Sequence, residues 1–115
     1  ACEGGTATRG LVDADVLNAL GPDGFLINTA RGPIVDQAAL VAALRDKRIA
    51  GAALDVFDGE PQVPAELMAM ENVVLTPHIA SSTHETRRAM GDLVYDNLRA
   101  HFDGKQVLTP VPPQV

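Results

Sequence analysis

The sequence predicts an α/β domain built on a parallel sheet. Two observations carry that expectation: three short apolar runs alternate with helical patterns, and the connections between them are short. Composition agrees, since 115 residues with 46% hydrophobic content can bury the core of one modest domain.

Residues 11–20 support a short helix, with Asp13 as N-cap and Gly21 placed to end it in the left-handed conformation. Gly21-Pro22-Asp23-Gly24 is a turn. The run Phe25-Leu26-Ile27-Asn28-Thr29 reads as a strand buried on both faces and ends at Arg31-Gly32-Pro33. Asp36 caps a second helix whose Leu40, Val41 and Leu44 share a stripe, and Arg45, Lys47 and Arg48 form a basic stop suited to a helix C-terminus. Residues 49–56 form the next buried strand, with Ala50, Gly51, Ala52 and Ala53 small enough for a helix to pack closely across it. The chain breaks at Asp58-Gly59-Glu60-Pro61 and makes a turn of helix at 64–67. A third strand at 73–75 is closed by Thr76-Pro77-His78. Ser82, with Glu85 three residues later, forms a capping box that opens a long helix carrying Met90, Leu93, Val94, Leu98 and Phe102 on one stripe. Gly104 ends that helix, and residues 107–115, with three prolines, should run extended over a surface.

Several classes of function are disfavoured by composition. A net charge of -6 without a basic run offers no footprint for nucleic acid or an anionic membrane, and 3% aromatics with no Trp leave little for base stacking. The lone Cys2 excludes an internal disulfide and a multi-cysteine zinc site, so no metal is expected, and it reads as a small buried strand residue. No apolar stretch is long enough to span a bilayer and no signal core opens the chain, so a soluble, cytoplasmic protein is expected. The start at Ala1 without Met suggests an upstream region beyond these residues.

In an open parallel sheet, ligands collect beyond the carboxyl ends of the strands. That filter selects Arg31 after the first strand, Asp55 and Glu60 after the second, and His78 after the third. The set suits reduction of a 2-oxo acid. A guanidinium at Arg31 can hold the substrate carboxylate in a bidentate fork. An imidazolium at His78 can protonate the carbonyl oxygen as hydride arrives, and a carboxylate at Glu60 can orient that ring and favour its charged form. Spacing alone leaves plainer readings open. Arg31-Gly32-Pro33 is equally a strand-to-helix turn, Glu60 a solvated loop residue, His78 a hydrogen-bonded loop histidine, and Asp55 a strand-end aspartate capping a turn. His84 and His101 lie on the last helix and read as solvated surface groups.

Three segments together say more. Ile27-Asn28-Thr29-Ala30-Arg31-Gly32-Pro33-Ile34-Val35-Asp36, then Ala53-Leu54-Asp55-Val56-Phe57 leading to Glu60-Pro61, then Leu75-Thr76-Pro77-His78-Ile79, resemble in order three motifs of the D-isomer-specific 2-hydroxyacid dehydrogenases. The resemblance covers essentially the whole chain. Gly4-Gly5 before Thr8, the run Glu60-Pro61-Gln62-Val63-Pro64, and Thr86-Arg87-Arg88-Ala89-Met90 look most like the glyoxylate, hydroxypyruvate and hydroxyphenylpyruvate reductase branch.

The resemblance implies the C-terminal half of a Rossmann-type sheet domain over residues 1–82. Residues 83–115 would then be a crossover helix and extended tail belonging with a substrate domain. It assigns Arg31 to the substrate carboxylate, His78 to general acid and Glu60 to its partner. Asp55 would contact the nicotinamide carboxamide, Thr29, Ala30 and Arg31 would line the cofactor, and Thr8 would lie near its ribose. The cofactor would be NAD or NADP, the substrate glyoxylate, hydroxypyruvate or a similar small 2-oxo acid, and the full-length protein a homodimer. Two departures stand out: Glu3 occupies a position where the family commonly has proline, and no G-x-G-x-x-G phosphate loop occurs. The 115 residues alone are therefore expected to be inactive. The rival class is a non-catalytic cofactor-binding regulator on the same fold, as in C-terminal-binding corepressors.

Overall fold

Helix α1 (Ala14–Leu20) starts where Asp13 can cap it, its carboxylate accepting the amides of Asp15 and Val16 at 3.0 Å each. Gly21 ends it with φ 79° and ψ 173°, so the expected positive φ is present but the left-handed helical conformation is not. Strand β1 (Phe25–Asn28) follows, then a 3-10 turn at Gly32–Ile34 leads into α2 (Gln37–Arg45), capped by Asp36 on the Ala39 amide. Past α2, Lys47 adopts φ 55° and the Arg48 amide donates to the Ala43 carbonyl at 2.8 Å, which closes the final turn with lysine where glycine is usual. Strand β2 (Gly51–Leu54), helix α3 (Ala65–Met68), strand β3 (Val73–Leu75) and helix α4 (His84–Phe102) complete the order. This is a computed structural model, and it describes residues 2–112.

The strands are parallel in the order β1-β2-β3, with Asn28 level with Leu54 and Leu54 with Leu75. Side chains alternate across a strand, so the sheet presents two distinct faces. On one, Leu26, Ala52, Leu54, Val73 and Leu75 join a core completed by Leu17, Leu40, Leu44, Ile49 and Leu67. On the other, Phe25 is 67% exposed, Ile27 69% and Val74 64%. This corrects the expectation that β1 is buried on both faces: α1, α2 and α3 contribute to the core on one side only. The small residues of β2 serve the open side as well. A Cβ on Gly51 would stand 3.2 Å from the Phe25 ring, which lies across it.

The chain divides into two compact units between Ala80 and Ser81. In the second, α4 is capped by Thr83, whose hydroxyl accepts the Thr86 amide at 3.2 Å. In place of the expected Ser82–Glu85 capping box, the helix has a single hydroxyl cap one residue later. Thr83 supplies the same hydroxyl one place nearer the helix, and Ser82 instead accepts from Arg87 at 2.9 Å. Gly104, at φ 68°, stops the helix, as the Lys105 amide returns to the Ala100 carbonyl. The tail is pinned to α4 rather than loose, because Asn97 accepts the Thr109 amide and donates to its hydroxyl. Residues 113–115, the end of the extended tail expected from the sequence, lie outside the described residues.

Cys2 is exposed and not in a strand, contrary to its reading as a buried strand residue. The segment leads into a 3-10 turn at Thr6–Thr8. Among the described residues no helix is long and apolar enough to cross a membrane.

Candidate active site

The site grows from the carboxyl ends of the three strands, where β2 delivers Asp55 and the Glu60 loop and β3 delivers His78. Glu60 meets His78 directly, Oε2 to Nδ1 at 2.8 Å. Its other oxygen accepts the Phe57 amide at 2.9 Å, so the carboxylate is fixed from two directions. The hydrogen bond from His78 is the main cause holding the Glu60 carboxyl below its ordinary pKa, followed by the Phe57 amide, with the charges of His78 and Arg31 adding smaller contributions. Since Nδ1 is committed to Glu60, Nε2 is the ring nitrogen left to face a substrate. Phe57, Pro61, Val63 and Pro77 give the pair an apolar side wall around a cleft of about 170 Å³.

Asp55 is buried, only 5% exposed. One carboxylate oxygen accepts the Thr76 hydroxyl at 2.6 Å and the Ile79 amide at 2.9 Å, and the other accepts the Ala80 amide at 2.9 Å. The Thr76 hydroxyl, ahead of the Ile79 amide, holds its pKa below the ordinary value against the opposing effect of burial. For both carboxylates the folded pKa lies below the unfolded one. The stabilisation is therefore complete above the ordinary carboxylate range and is lost as pH falls through the lowered folded values. Acid unfolding of Asp55→Asn and Glu60→Gln variants should each show a shallower pH dependence than the parent below about pH 4. Equal slopes, followed by circular dichroism, would remove both carboxylates from that linkage.

Arg31 follows β1 and is exposed, while Ala30 before it is buried. The turn that presents it is held by Asn28, a side chain to which the sequence reading gave no role. Asn28 is 6% exposed, accepts the Ala30 amide and donates to the Arg31 carbonyl, both at 3.1 Å. A polar residue ending an apolar strand was the available signal. Gly4 seats the arginine stem, since a Cβ there would stand 2.6 Å from the Arg31 Cγ. Gln37 was also missed: its side chain accepts the Asp58 amide at 3.2 Å and so ties the loop before Glu60 to α2.

The Arg31 and Glu60 loops touch through backbone at Gly32. A Cβ there would lie 2.0 Å from the Phe57 carbonyl carbon and oxygen, too close for either to stay in place. Gly32→Ala should therefore cost on the order of 2–3 kcal/mol of stability, as overpacking of a tight contact does. Urea titration of the variant measures this, and an unchanged midpoint would mean the loops do not meet in solution.

The residues that the family resemblance sets toward a nicotinamide keep polar groups that such a group could use. Thr29 is exposed at the end of β1, and the Asp55 oxygen bound to Ala80 takes only that one donor here, leaving acceptor capacity for a carboxamide. Thr8 donates its hydroxyl to the Glu3 carbonyl at 2.8 Å, bracing the loop that carries Gly4. A larger groove of about 530 Å³, lined by Pro22, Lys47 and Asn72 among others, lies near residues that precede the strands. That is the opposite end from where ligands gather on such sheets.

Fold and site together define part of a Rossmann-type nucleotide-binding domain with a hydrogen-bonded histidine–glutamate pair at its sheet edge. The chain belongs to the D-isomer-specific 2-hydroxyacid dehydrogenase family, whose NAD-binding domain matches residues 1–80. It is 58% identical over 111 residues to a glyoxylate/hydroxypyruvate reductase A of Arabidopsis thaliana, covering 96% of this chain and 36% of that protein. A hydroxyphenylpyruvate reductase of Plectranthus scutellarioides is 54% identical with the same two coverages, 96% and 36%. Among solved structures, an NADPH-dependent glyoxylate/hydroxypyruvate reductase of Sinorhizobium meliloti, in complex with NADP and malonate, superposes with a TM-score of 0.90. It is 56% identical, covering 94% of this chain and 34% of that one. The chain spans about a third of the length of the relatives it matches. The family read from three motifs is thus established, and the two curated relatives carry names of the reductase branch that the motifs resemble.

Proposed function

We propose that this chain supplies the substrate clamp and the proton-donating pair of a reductase that converts a small 2-oxo acid, glyoxylate or hydroxypyruvate foremost, to a D-2-hydroxy acid. The observation that carries this reading is the 2.8 Å Glu60–His78 pair at the carboxyl edge of the sheet, close enough to Arg31 for its charge to act on Glu60.

Arg31 binds the substrate carboxylate through its guanidinium and so presents the neighbouring carbonyl in one orientation. NADH or NADPH, when bound, supplies the hydride for the carbonyl carbon. His78 donates the Nε2 proton to the carbonyl oxygen as negative charge gathers there, which completes the hydroxyl group. Glu60 accepts the Nδ1 hydrogen bond and so fixes the ring with Nε2 left for the substrate. Thr29, Ala30 and Asp55 would hold the nicotinamide end of that cofactor and Thr8 its ribose. Homodimer assembly and a cytoplasmic setting belong to the same reading; the first rests on family resemblance and the second on the lone Cys2.

The test is oxidation of NADH and of NADPH by the full-length reductase carrying this segment, with glyoxylate and with hydroxypyruvate. Consumption of at least one reduced cofactor that depends on added 2-oxo acid is the expected result. Tight cofactor binding without any turnover would overturn it.

A further inference from the structure

Asp55 directly follows β2, beside the histidine loop, and its carboxylate gathers donors from both sides of His78. Thr76 lies two residues before the histidine; Ile79 and Ala80 are the two that follow. Pro77 has no amide to contribute. The Asp55 backbone is itself fixed, its amide donating to the Asn28 carbonyl at 3.0 Å within the sheet. Between these anchors His78 adopts φ 54°, a left-handed conformation uncommon for a non-glycine residue. From there its ring reaches Glu60.

We infer that Asp55 is a positioning residue for His78: its buried carboxylate clamps residues 76–80 so that the left-handed histidine meets Glu60 with Nδ1 and offers Nε2 to the substrate. This deepens the proposed reductase reading and rests on it for the identity of the proton donor. The clamp needs a carboxylate rather than an isostere. The Ile79 amide donates to one oxygen and the Ala80 amide to the other, so an asparagine must set its NH₂ against one of them. A carboxamide contact from the cofactor is compatible with the clamp, since one oxygen keeps acceptor capacity.

The experiment compares Asp55→Asn with the parent in the full-length reductase by two readouts. One is the ¹⁵N and proton signal of the His78 imidazole, which reports its Nδ1 hydrogen bond to Glu60 without cofactor. The other is the split between kcat and the Kd for NADH or NADPH. The clamp predicts a displaced His78 signal already without cofactor and a kcat lower by roughly 10²-fold, as for a reacting group misplaced by about an ångström, whether or not the cofactor Kd also rises. An unaltered His78 signal, with or without weakened cofactor binding, overturns the inference. If Asp55→Asn does not fold, Thr76→Val removes one donor and keeps the two amides. It should displace the same signal with a smaller kcat loss, and an unmoved signal there also overturns the inference. A parent that reduces no 2-oxo acid would defeat the reductase reading, while the His78 signal would still report on the clamp.

Discussion

Replacing His78 by Ala in the full-length reductase should lower kcat for hydroxypyruvate by roughly 10²–10⁴-fold, the usual contribution of a positioned general acid. KM should change little, because the proton is needed where charge develops on the oxygen and not in the ground-state complex. The structure supports this split. The His78 side chain is 48% exposed and its Nδ1 is held by Glu60 at 2.8 Å, so truncation removes a presented group and not a piece of core. Steady-state kinetics with thermal unfolding as a control measures it. A variant within threefold of the parent would take proton donation away from His78.

Replacing Arg31 by Ala should lower kcat/KM by roughly 10²–10³-fold with a clear rise in KM, as loss of one partner from a charge-assisted pair costs a few kcal/mol. Arg31→Lys should recover only part of it. The ammonium retains the charge but cannot offer two parallel donors to a carboxylate. Stability should stay close to the parent's: Arg31 is exposed, and the turn that carries it is held by the Asn28 side chain through backbone groups that the substitution leaves alone. Wild-type KM in Arg31→Ala would mean that another group binds the acid.

Local signals made much of this legible. The caps at Asp13 and Asp36 lie where a short polar side chain precedes a helical pattern, and the three strands coincide with the apolar runs. The topological rule for parallel sheets then gathered Arg31, Asp55, Glu60 and His78 at one edge, where the Glu60–His78 bond is found. What stayed hidden depends on partners distant in sequence. The open face of Phe25, Ile27 and Val74 cannot be read from a continuous apolar run, because that pattern does not say which side a helix covers. Gln37 and Gly32 act through backbone atoms 21 to 26 residues away, and only the folded loops reveal those contacts. For Asp55, the plain alternative of a turn-capping aspartate proved partly right: it organises a loop, and that loop carries the histidine.

The most direct test of the central claim sets hydroxypyruvate against dihydroxyacetone, which keeps the same carbonyl but carries a hydroxymethyl group in place of the carboxylate. Reduced-cofactor oxidation by the full-length reductase should be readily measured with hydroxypyruvate and at least ~10²-fold slower with dihydroxyacetone, for lack of a group for Arg31 to grip. Comparable rates with the two would contradict a site built around a 2-oxo acid.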